Sequence, residues 1–285
     1  MFNYFLYRIA QFLSLYLPLK VGYKIAILIS DLRYIFAYQD RKEVTENLKA
    51  IFPDKSDSQI SKIRIRIFRN FAKYLVDFFR FSKLDLDYIK KNVKSENLLY
   101  LDRVLSQGKG GIVLSAHLGN WELGAAVLAL LGYPFWAVAL PHKCKKINDF
   151  FNFQRQSKKI KVIPLGKAVR ECLNLLSKNE TVALVADRDF TEKGIEIEFF
   201  GKPTCFPAGP AAFCLKTGAG IVPTFMLRNN DDTFTLQLEK PVGFVPSGDK
   251  NKDIIDLTNR YKIIIEDYIK RYPDQWYMFR RFWKS

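Results

Sequence analysis

The sequence predicts an α/β fold in which helices flank a central, mainly parallel sheet, with a membrane-associated helical segment at the N-terminus. Two observations predict this fold class. From about residue 96 onwards, short apolar runs alternate with helical stretches, which is typical of parallel strands joined by helices. Residues 1–38 are strongly apolar and aromatic. We therefore divide the chain into an N-terminal helical segment, residues 1–95, and an α/β domain, residues 96–285, packed as one unit.

The N-terminal stretch predicts two helices, residues 2–17 and 21–29, that lie in a membrane interface. Arg8, Pro18 and Lys20 interrupt the stretch, so it lacks the roughly 18 uncharged residues that would mark a membrane-spanning helix. Helices of this kind insert shallowly while their basic side chains reach the surface. The alternative is that both helices belong to the core of a soluble domain.

A second pair of helices completes the N-terminal segment. Residues 40–47 form a polar helical stretch, and Ser56 with Gln59 fits a capping box that starts a helix running to about residue 82. Apolar side chains recur on one face of this helix at Ile60, Ile63, Ile67, Phe71, Tyr74 and Phe78. Another face carries Lys62, Arg66, Arg69 and Lys73. This basic face is either a solvated surface or a contact with an anionic bilayer.

The sequence of the α/β domain predicts six strands and five helices, besides a short basic helix within residues 141–170. The strands are 111–116, 135–140, 160–165, 181–186, 221–227 and 233–238. The helices are 97–107, 123–131, 167–176, 208–217 and 252–271. A polar turn at residues 228–232 joins the last two strands as a hairpin.

Composition restricts the kinds of partner and cofactor. The net charge is +16, which implies an anionic partner such as nucleic acid, an anionic membrane or an acidic substrate. The apolar, aromatic N-terminus and the absence of a DNA- or RNA-recognition signature argue against nucleic acid. Four cysteines without CxxC spacing and only two histidines argue against a zinc site. With no P-loop and no GxGxxG motif, we expect no cofactor and no metal.

His117 and Glu122 are the candidate catalytic residues. His117 follows the strand 111–116, and Glu122 lies in the first turn of the next helix, after Gly119 and Asn120. Ligands bind at this edge in open α/β sheets. A neutral imidazole can remove a proton from a hydroxyl, and a carboxylate on its other nitrogen orients it and stabilises the imidazolium. We expect Glu122 to supply that carboxylate. The alternative is a chance spacing within an ordinary turn.

Several short motifs, in fixed order, resemble those of the late acyltransferases of lipid A biosynthesis, which belong to the lysophospholipid acyltransferase group. The His-x4-Glu block of that group is similar to AHLGNWELGA at residues 116–125. The other motifs are NLKAIFP (47–53), VADRD (185–189), FFG (199–201), AGPA (208–211), TGA (217–219), PDQW (273–276) and RRFWK (280–284). The resemblance spans Asn47 to Lys284.

We expect the remaining candidate site residues to bind substrate. Residues 141–170 contain nine Lys or Arg and one acid, Asp149, and the resemblance implies that Arg155, within a helical part of this loop, belongs to the active site. Asp187 follows the strand 181–186, and the resemblance places it in or beside the site. Arg188 stands where the family has Gln, and it either pairs with Asp187 or binds a substrate phosphate. Asn120 is the fourth candidate.

The resemblance implies a membrane-bound acyltransferase on the cytoplasmic face of the bacterial inner membrane. It would move a fatty acyl chain from an acyl thioester, carried by acyl carrier protein, to a hydroxyl of an anionic glycolipid such as a phosphorylated lipid A precursor. Both of these expected partners are acidic, which suits a basic chain. One alternative is the same chemistry on another phospholipid or glycolipid acceptor. Another is a non-catalytic protein that binds anionic membranes.

Overall fold

The computed structural model describes residues 2–190 and 194–283, and the side chain of Phe2 is not included. Five helices come first: α1 (Phe2–Tyr16), α2 (Leu19–Phe36), α3 (Tyr38–Ile51), α4 (Asp57–Phe79) and α5 (Leu86–Asn92). The predicted capping box is confirmed, because the Ser56 side chain accepts from the Gln59 backbone N–H and the Gln59 side chain accepts from the Ser56 backbone N–H. This reciprocal pair satisfies two backbone donors at the start of the long helix α4.

Strands and helices then alternate, as the sequence predicts. The strands are β1 (Val93–Glu96), β2 (Gly111–Ser115), β3 (Phe135–Ala139), β4 (Lys161–Pro164), β5 (Thr181–Val185), β6 (Ile195–Phe199), β7 (Lys202–Phe206), β8 (Gly220–Arg228) and β9 (Phe234–Leu238). The helices are α6 (Leu99–Leu105), α7 (Trp121–Leu130), α8 (Lys145–Gln156), α9 (Ala168–Leu176), α10 (Gly209–Thr217) and α11 (Lys250–Arg271).

Seven strands form the central sheet in the order β1-β9-β8-β2-β5-β3-β4. All neighbours are parallel except β8 and β9, which form the predicted hairpin. The predicted fold class is therefore confirmed for a mostly parallel sheet flanked by helices. Strand β1 crosses the predicted division at residue 96, so the sheet begins slightly earlier than the domain that we drew, and that division stays a prediction.

Both faces of the central strand β2 are covered, which explains why this strand is a continuous apolar run. Ile112 and Leu114 lie in a core that includes side chains of α9, α10 and α11. Val113, which points to the opposite face, lies in a second core with side chains of α4 and α7. The two cores hold the carboxyl ends of β2 and its neighbours in place.

Three elements were absent from the sequence-based prediction: α5, β1 and the separate antiparallel hairpin β6–β7. The hairpin turn places Phe200 and Gly201 at φ values of 52° and 70°, a pair of left-handed conformations that matches the twist of a tight hairpin. The FFG motif therefore builds this turn.

The first two helices pack on α4 and leave a broad apolar surface exposed. The exposed apolar side chains include Phe5, Ile9, Phe12, Leu28, Leu32, Ile35 and Phe36. No helix within residues 2–190 and 194–283 is sufficiently long and apolar to cross a bilayer. Membrane association of this surface stays a prediction.

Part of the basic face of α4 is occupied within the protein. Arg69 forms a bidentate ion pair with Asp31 of α2, with both N···O distances at 2.8 Å, and Lys73 contacts Asp232 of the β8–β9 turn at 2.7 Å. These side chains therefore tie α4 to its neighbours, which neither of our two sequence-based interpretations included.

Candidate active site

His117 lies in a tight turn between the end of β2 and the start of α7. Its backbone carbonyl accepts from the N–H of Tyr277 at 2.8 Å, and the N–H groups of Gly119 and Asn120 donate to backbone carbonyls of the C-terminal segment and of β8, respectively. Gly119 has φ of +65°, and a Cβ atom at this position would come within 2.0 Å of the Met226 carbonyl oxygen. The turn therefore requires glycine for both its conformation and its close approach to β8.

The acid that contacts the imidazole is Asp187, at the end of the neighbouring strand β5. His117 Nδ1 lies 2.7 Å from Asp187 Oδ1, and the His117 backbone N–H donates to Oδ2 at 3.0 Å. The indole N–H of Trp276 donates to the same Oδ2 at 2.9 Å. Asp187 is completely buried, and three donors hold it in one orientation.

These contacts keep the carboxylate ionised. Burial alone would raise the pKa of Asp187, but the attraction of His117 and the hydrogen bonds from His117 and Trp276 outweigh it, so the pKa lies below its usual value. An ionised carboxylate on Nδ1 fixes the tautomer in which Nδ1 carries the proton and Nε2 is free to accept one. The His117 side chain is 24% exposed, so a substrate can reach it.

Glu122 does not contact His117, so our prediction that Glu122 supplies the carboxylate on the imidazole is wrong. Its carboxylate instead accepts from Nε of Arg155 on α8, at 3.0 and 3.1 Å. Both side chains are largely buried, with 9% of Glu122 and 12% of Arg155 exposed. Glu122 belongs to α7 and turns toward α8, whereas the position beside Nδ1 is already filled from β5.

Hydrogen bonds and an ion pair hold the Arg155 guanidinium in place. Burial acts to lower the pKa of its guanidinium, but the attraction of Glu122 outweighs this effect and the pKa is raised. Its Nη1 also donates to Asn152 Oδ1 at 3.3 Å. The ion pair therefore joins α8, the helix of the basic loop, to the first turn of α7, at a residue that follows His117 by five positions.

Asn120 is a structural residue, so its predicted substrate contact is not available in this arrangement. It is 1% exposed and caps α7, because its Oδ1 accepts from the Leu123 N–H at 3.1 Å. Its Nδ2 donates to Asp77 of α4 at 2.9 Å. Asn120 thus positions the turn that carries His117.

Asp77 belongs to a buried polar network that sequence reasoning missed. It accepts hydrogen bonds from Tyr23 of α2 and from Arg228 at the end of β8, as well as from Asn120. Burial raises the pKa of Asp77 although Arg228 acts against it. The available signal was an acid within the apolar sequence Val76–Phe79, where a charged side chain requires a buried partner.

Arg188 is half-buried and does not form an ion pair with Asp187, which was one of the two roles that we considered. No hydrogen bond joins them in the described part of the chain, and the Asp187 oxygens are occupied by His117 and Trp276. The Arg188 guanidinium instead stacks 4.6 Å from the centre of the Phe190 ring. That ring is 6.1 Å from the imidazole of His117.

Within residues 2–190 and 194–283, no group of three or more His, Cys, Asp or Glu side chains is arranged to hold a metal ion. The side chains described above form an acid–histidine pair and an ion pair between two helices, with Arg188 beside Phe190. Such a site can accept a proton from a hydroxyl group and present positive charge to an anion.

Comparison with known proteins agrees with the motifs. The family model described as bacterial lipid A biosynthesis acyltransferase matches residues 1–285. The chain belongs to this family. The resemblance predicted from the short motifs is therefore confirmed, although Lys284 of the last motif lies outside the described residues.

The names of individual relatives refer to two different acceptors. A phosphatidylinositol mannoside acyltransferase of Mycobacterium tuberculosis is 27% identical over 67% of this chain, and the match spans 63% of that protein, less than two thirds of its length. The protein of the same name from Mycolicibacterium smegmatis is 27% identical over 75% of this chain and 70% of its own length. A lipid A biosynthesis palmitoleoyltransferase of Escherichia coli is 24% identical over 84% of this chain and 77% of its own length.

Proposed function

We propose that the protein transfers a fatty acyl chain from an acyl thioester to a hydroxyl group of a phosphorylated glycolipid, such as a lipid A precursor. The observation that carries this proposal is the contact between His117 Nδ1 and Asp187 Oδ1 at 2.7 Å, together with the partial exposure of the imidazole. A histidine held in this way is a general base for a hydroxyl group. Family membership supports acyl transfer as the reaction.

In the proposed reaction, His117 Nε2 takes the proton from the acceptor hydroxyl while its oxygen attacks the thioester carbonyl carbon. The tetrahedral intermediate then collapses, the C–S bond breaks, and the imidazolium returns the proton to the departing thiolate. The products are an ester and a free thiol. Asp187 stabilises the imidazolium between the two proton transfers, and a positioned base of this kind contributes roughly 10²–10⁴-fold to a rate.

We assign Glu122 an indirect part in this reaction. The carbonyl oxygen becomes negative in the transition state, and a preorganised cation nearby would stabilise it. Arg155 is the candidate, because its guanidinium is held by Glu122 one turn after His117 in the chain. In this proposal Glu122 fixes the position of Arg155, and Asp187 fixes the position of His117.

The donor, the acceptor and the location are further parts of the proposal. The basic loop, residues 141–170, suits the acidic surface of an acyl carrier protein. The apolar surface of α1 and α2 suits binding to the cytoplasmic face of the bacterial inner membrane, where a glycolipid acceptor would be available. The names of the mycobacterial relatives support a second candidate acceptor, a phosphatidylinositol mannoside.

The test is thiol release from acyl–acyl carrier protein in the presence of each acceptor, with the acylated lipid identified by mass spectrometry. We expect His117→Ala to lose activity by at least about 10²-fold while retaining its unfolding temperature. His142→Ala is the comparison, because His142 is the only other histidine in the chain; it lies in the loop assigned to the donor, so this change should affect use of the donor but keep the proposed base. Equal turnover by wild type and His117→Ala would refute the proposed base.

Absence of transfer to any lipid, combined with binding to anionic vesicles, would favour the non-catalytic membrane binder. Transfer only to the mannoside would retain the chemistry and replace the acceptor. Because the same assay reports both thiol release and lipid product, these outcomes are distinguishable.

A further inference from the structure

An apolar cavity of about 360 Å³ lies between α1, α2, α4 and the C-terminal segment. This volume falls within the range of roughly 300–1,000 Å³ that is usual for small-molecule sites. Its lining includes Leu13, Ile25, Ala26, Phe68 and Leu75. Leu13 and Ile29 both line the cavity and are exposed, so the cavity opens onto the apolar surface of α1 and α2.

Two arginines, Arg33 and Arg280, line this cavity. Arg280 is exposed. Burial lowers the pKa of Arg188, the positive charge of Arg280 lowers it further, and the charge of Asp187 acts against both, so Arg188 lies within the electrostatic influence of Arg280. Neither side chain forms an ion pair with an acid in the described part of the chain. By contrast, Arg33 at another part of the cavity is already paired with Asp40, at 2.9 Å.

Two guanidinium groups that repel each other and that no carboxylate contacts directly are stabilised when an anion lies between them. Each guanidinium offers a planar set of donors that matches the oxygens of a phosphate. Arg188 is also placed beside the reacting centre, because it stacks on Phe190 and the ring of Phe190 lies beside His117. Of these two arginines, Arg188 therefore lies on the side of His117 and Arg280 lines the apolar cavity.

We infer that Arg188 and Arg280 bind the phosphate of an anionic lipid whose hydrocarbon chain enters the cavity between α1, α2 and α4. The ligand is the phosphorylated acceptor of the proposed reaction, so the inference rests on the proposed function and specifies its substrate class. The cavity takes the chain, the two arginines take the phosphate, and a hydroxyl of the headgroup is presented to His117. A free phosphate ion has no chain for the cavity and binds much more weakly.

Dodecyl phosphate is a suitable probe, because it combines one phosphate with one hydrocarbon chain. Its equilibrium binding to the full chain is measured in a constant concentration of neutral detergent, without acyl donor, so that the result does not depend on turnover. Inorganic phosphate and dodecyl maltoside are measured in parallel. They report on the phosphate alone and on the chain alone.

We expect Arg188→Gln and Arg280→Gln each to weaken dodecyl phosphate binding about tenfold or more, as is usual for loss of a charge-assisted hydrogen bond. Arg170→Gln is the matched control, since it removes one exposed positive charge from α9, which does not line the cavity. We expect this control to bind as wild type does. Binding of dodecyl maltoside should be unaffected by all three changes.

Ala26→Phe on α2 and Ala72→Phe on α4 test the cavity from two different helices, so that a folding defect in one does not end the test. We expect either filled variant to lose binding of both dodecyl ligands while keeping its thermal unfolding transition. Undiminished dodecyl phosphate binding in both arginine variants, or in a folded filled variant, would overturn the inference. Inorganic phosphate binding as tightly as dodecyl phosphate would do the same.

The outcomes also separate this inference from the proposed function. If the variants lose probe binding as expected but the wild-type chain transfers no acyl group, the lipid site stands and the acyltransferase proposal fails. If the wild-type chain transfers acyl groups but the arginine variants bind the probe normally, the reaction stands and the lipid site is wrong.

Discussion

Asp187→Asn is the sharpest test of which acid serves His117. The Asp187 carboxylate receives three hydrogen bonds, two of them at Oδ2 from the His117 backbone N–H and the Trp276 indole N–H. In the variant, the amide oxygen will take the place of Oδ2, because both neighbouring groups are donors. The amide NH₂ then points at His117 Nδ1 and donates to it. Nδ1 becomes the acceptor, and the proton moves to Nε2.

A histidine in this tautomer cannot accept a proton from the acceptor hydroxyl, and it has also lost the charge that stabilised its imidazolium. We therefore expect the turnover rate to fall by about 10³–10⁴-fold, which is typical of the wrong tautomer in a catalytic triad. The assay is thiol release under saturating donor and acceptor. Glu122→Gln is the matched comparison, since it makes the same chemical change in the acid that contacts Arg155 instead.

The pH dependence of stability provides a second reading of the same variant. Asp187 has a lowered pKa in the folded protein, so its ionisation stabilises the fold above the pKa of the unfolded chain, about 3.9. That contribution is lost as the pH falls through the folded value. The free energy of unfolding in urea should therefore be larger for wild type than for Asp187→Asn at pH 7, and this difference should shrink below about pH 4. A rate loss larger in Glu122→Gln than in Asp187→Asn would refute our assignment.

Three other predictions concern the supports of the site. Glu122→Ala should lower the free energy of unfolding by about 3 kcal/mol in urea titrations, because the largely buried Arg155 charge loses its partner, and the double variant Glu122→Ala/Arg155→Ala should recover part of the loss. Gly119→Ala should lose activity and stability together, since its Cβ would collide with the Met226 carbonyl; normal melting and turnover would contradict this. Asn120→Ala should cost about 1 kcal/mol through the lost cap, measured by thermal unfolding, and more if Asp77 stays unsatisfied.

Much of the fold was predictable because local patterns and tertiary packing agree. The alternation of apolar runs and helical stretches gave the parallel sheet, and the β8–β9 hairpin followed from its polar turn. The elements that were missed have weak local signals. Strand β1 is four residues long, carries two charged side chains and lies at the edge of the sheet, where only pairing with β9 defines it.

The β6–β7 hairpin was missed for a different reason. Ile195, Ile197 and Phe199 alternate with Glu196 and Glu198, which is the pattern of a strand with one buried face. This alternation is sufficient to predict the first strand. Its pairing with β7 depends on a turn with two positive φ values, which the family motif FFG alone does not indicate.

The sequence predicts that His117 and Asp187 lie at the same edge of the sheet, but it does not predict which side chains contact them. Sequence reasoning placed both His117 and Asp187 at the carboxyl ends of strands, and the structure confirms that these ends are adjacent. It could not show that Trp276 and Tyr277, from the far end of the chain, would fix Asp187 and the His117 backbone. Such long-range contacts depend on how the C-terminal segment packs, and no local pattern encodes them.

The pairing of His117 with Asp187 follows from the register of two strands. Ser115 of β2 lies opposite Val185 of β5 in a parallel pair, a separation of 70 residues, and the same separation joins His117 to Asp187 two residues further along. Residues at equal distances beyond two parallel, in-register strands emerge side by side at the same edge. The acid from β5 therefore reaches Nδ1 without any help from the helix. Glu122, five residues after His117, contacts Arg155 instead, so the His and Glu of the His-x4-Glu motif in this chain are not a contacting pair. In our proposal the first residue of the motif is the base and the second supports a cation.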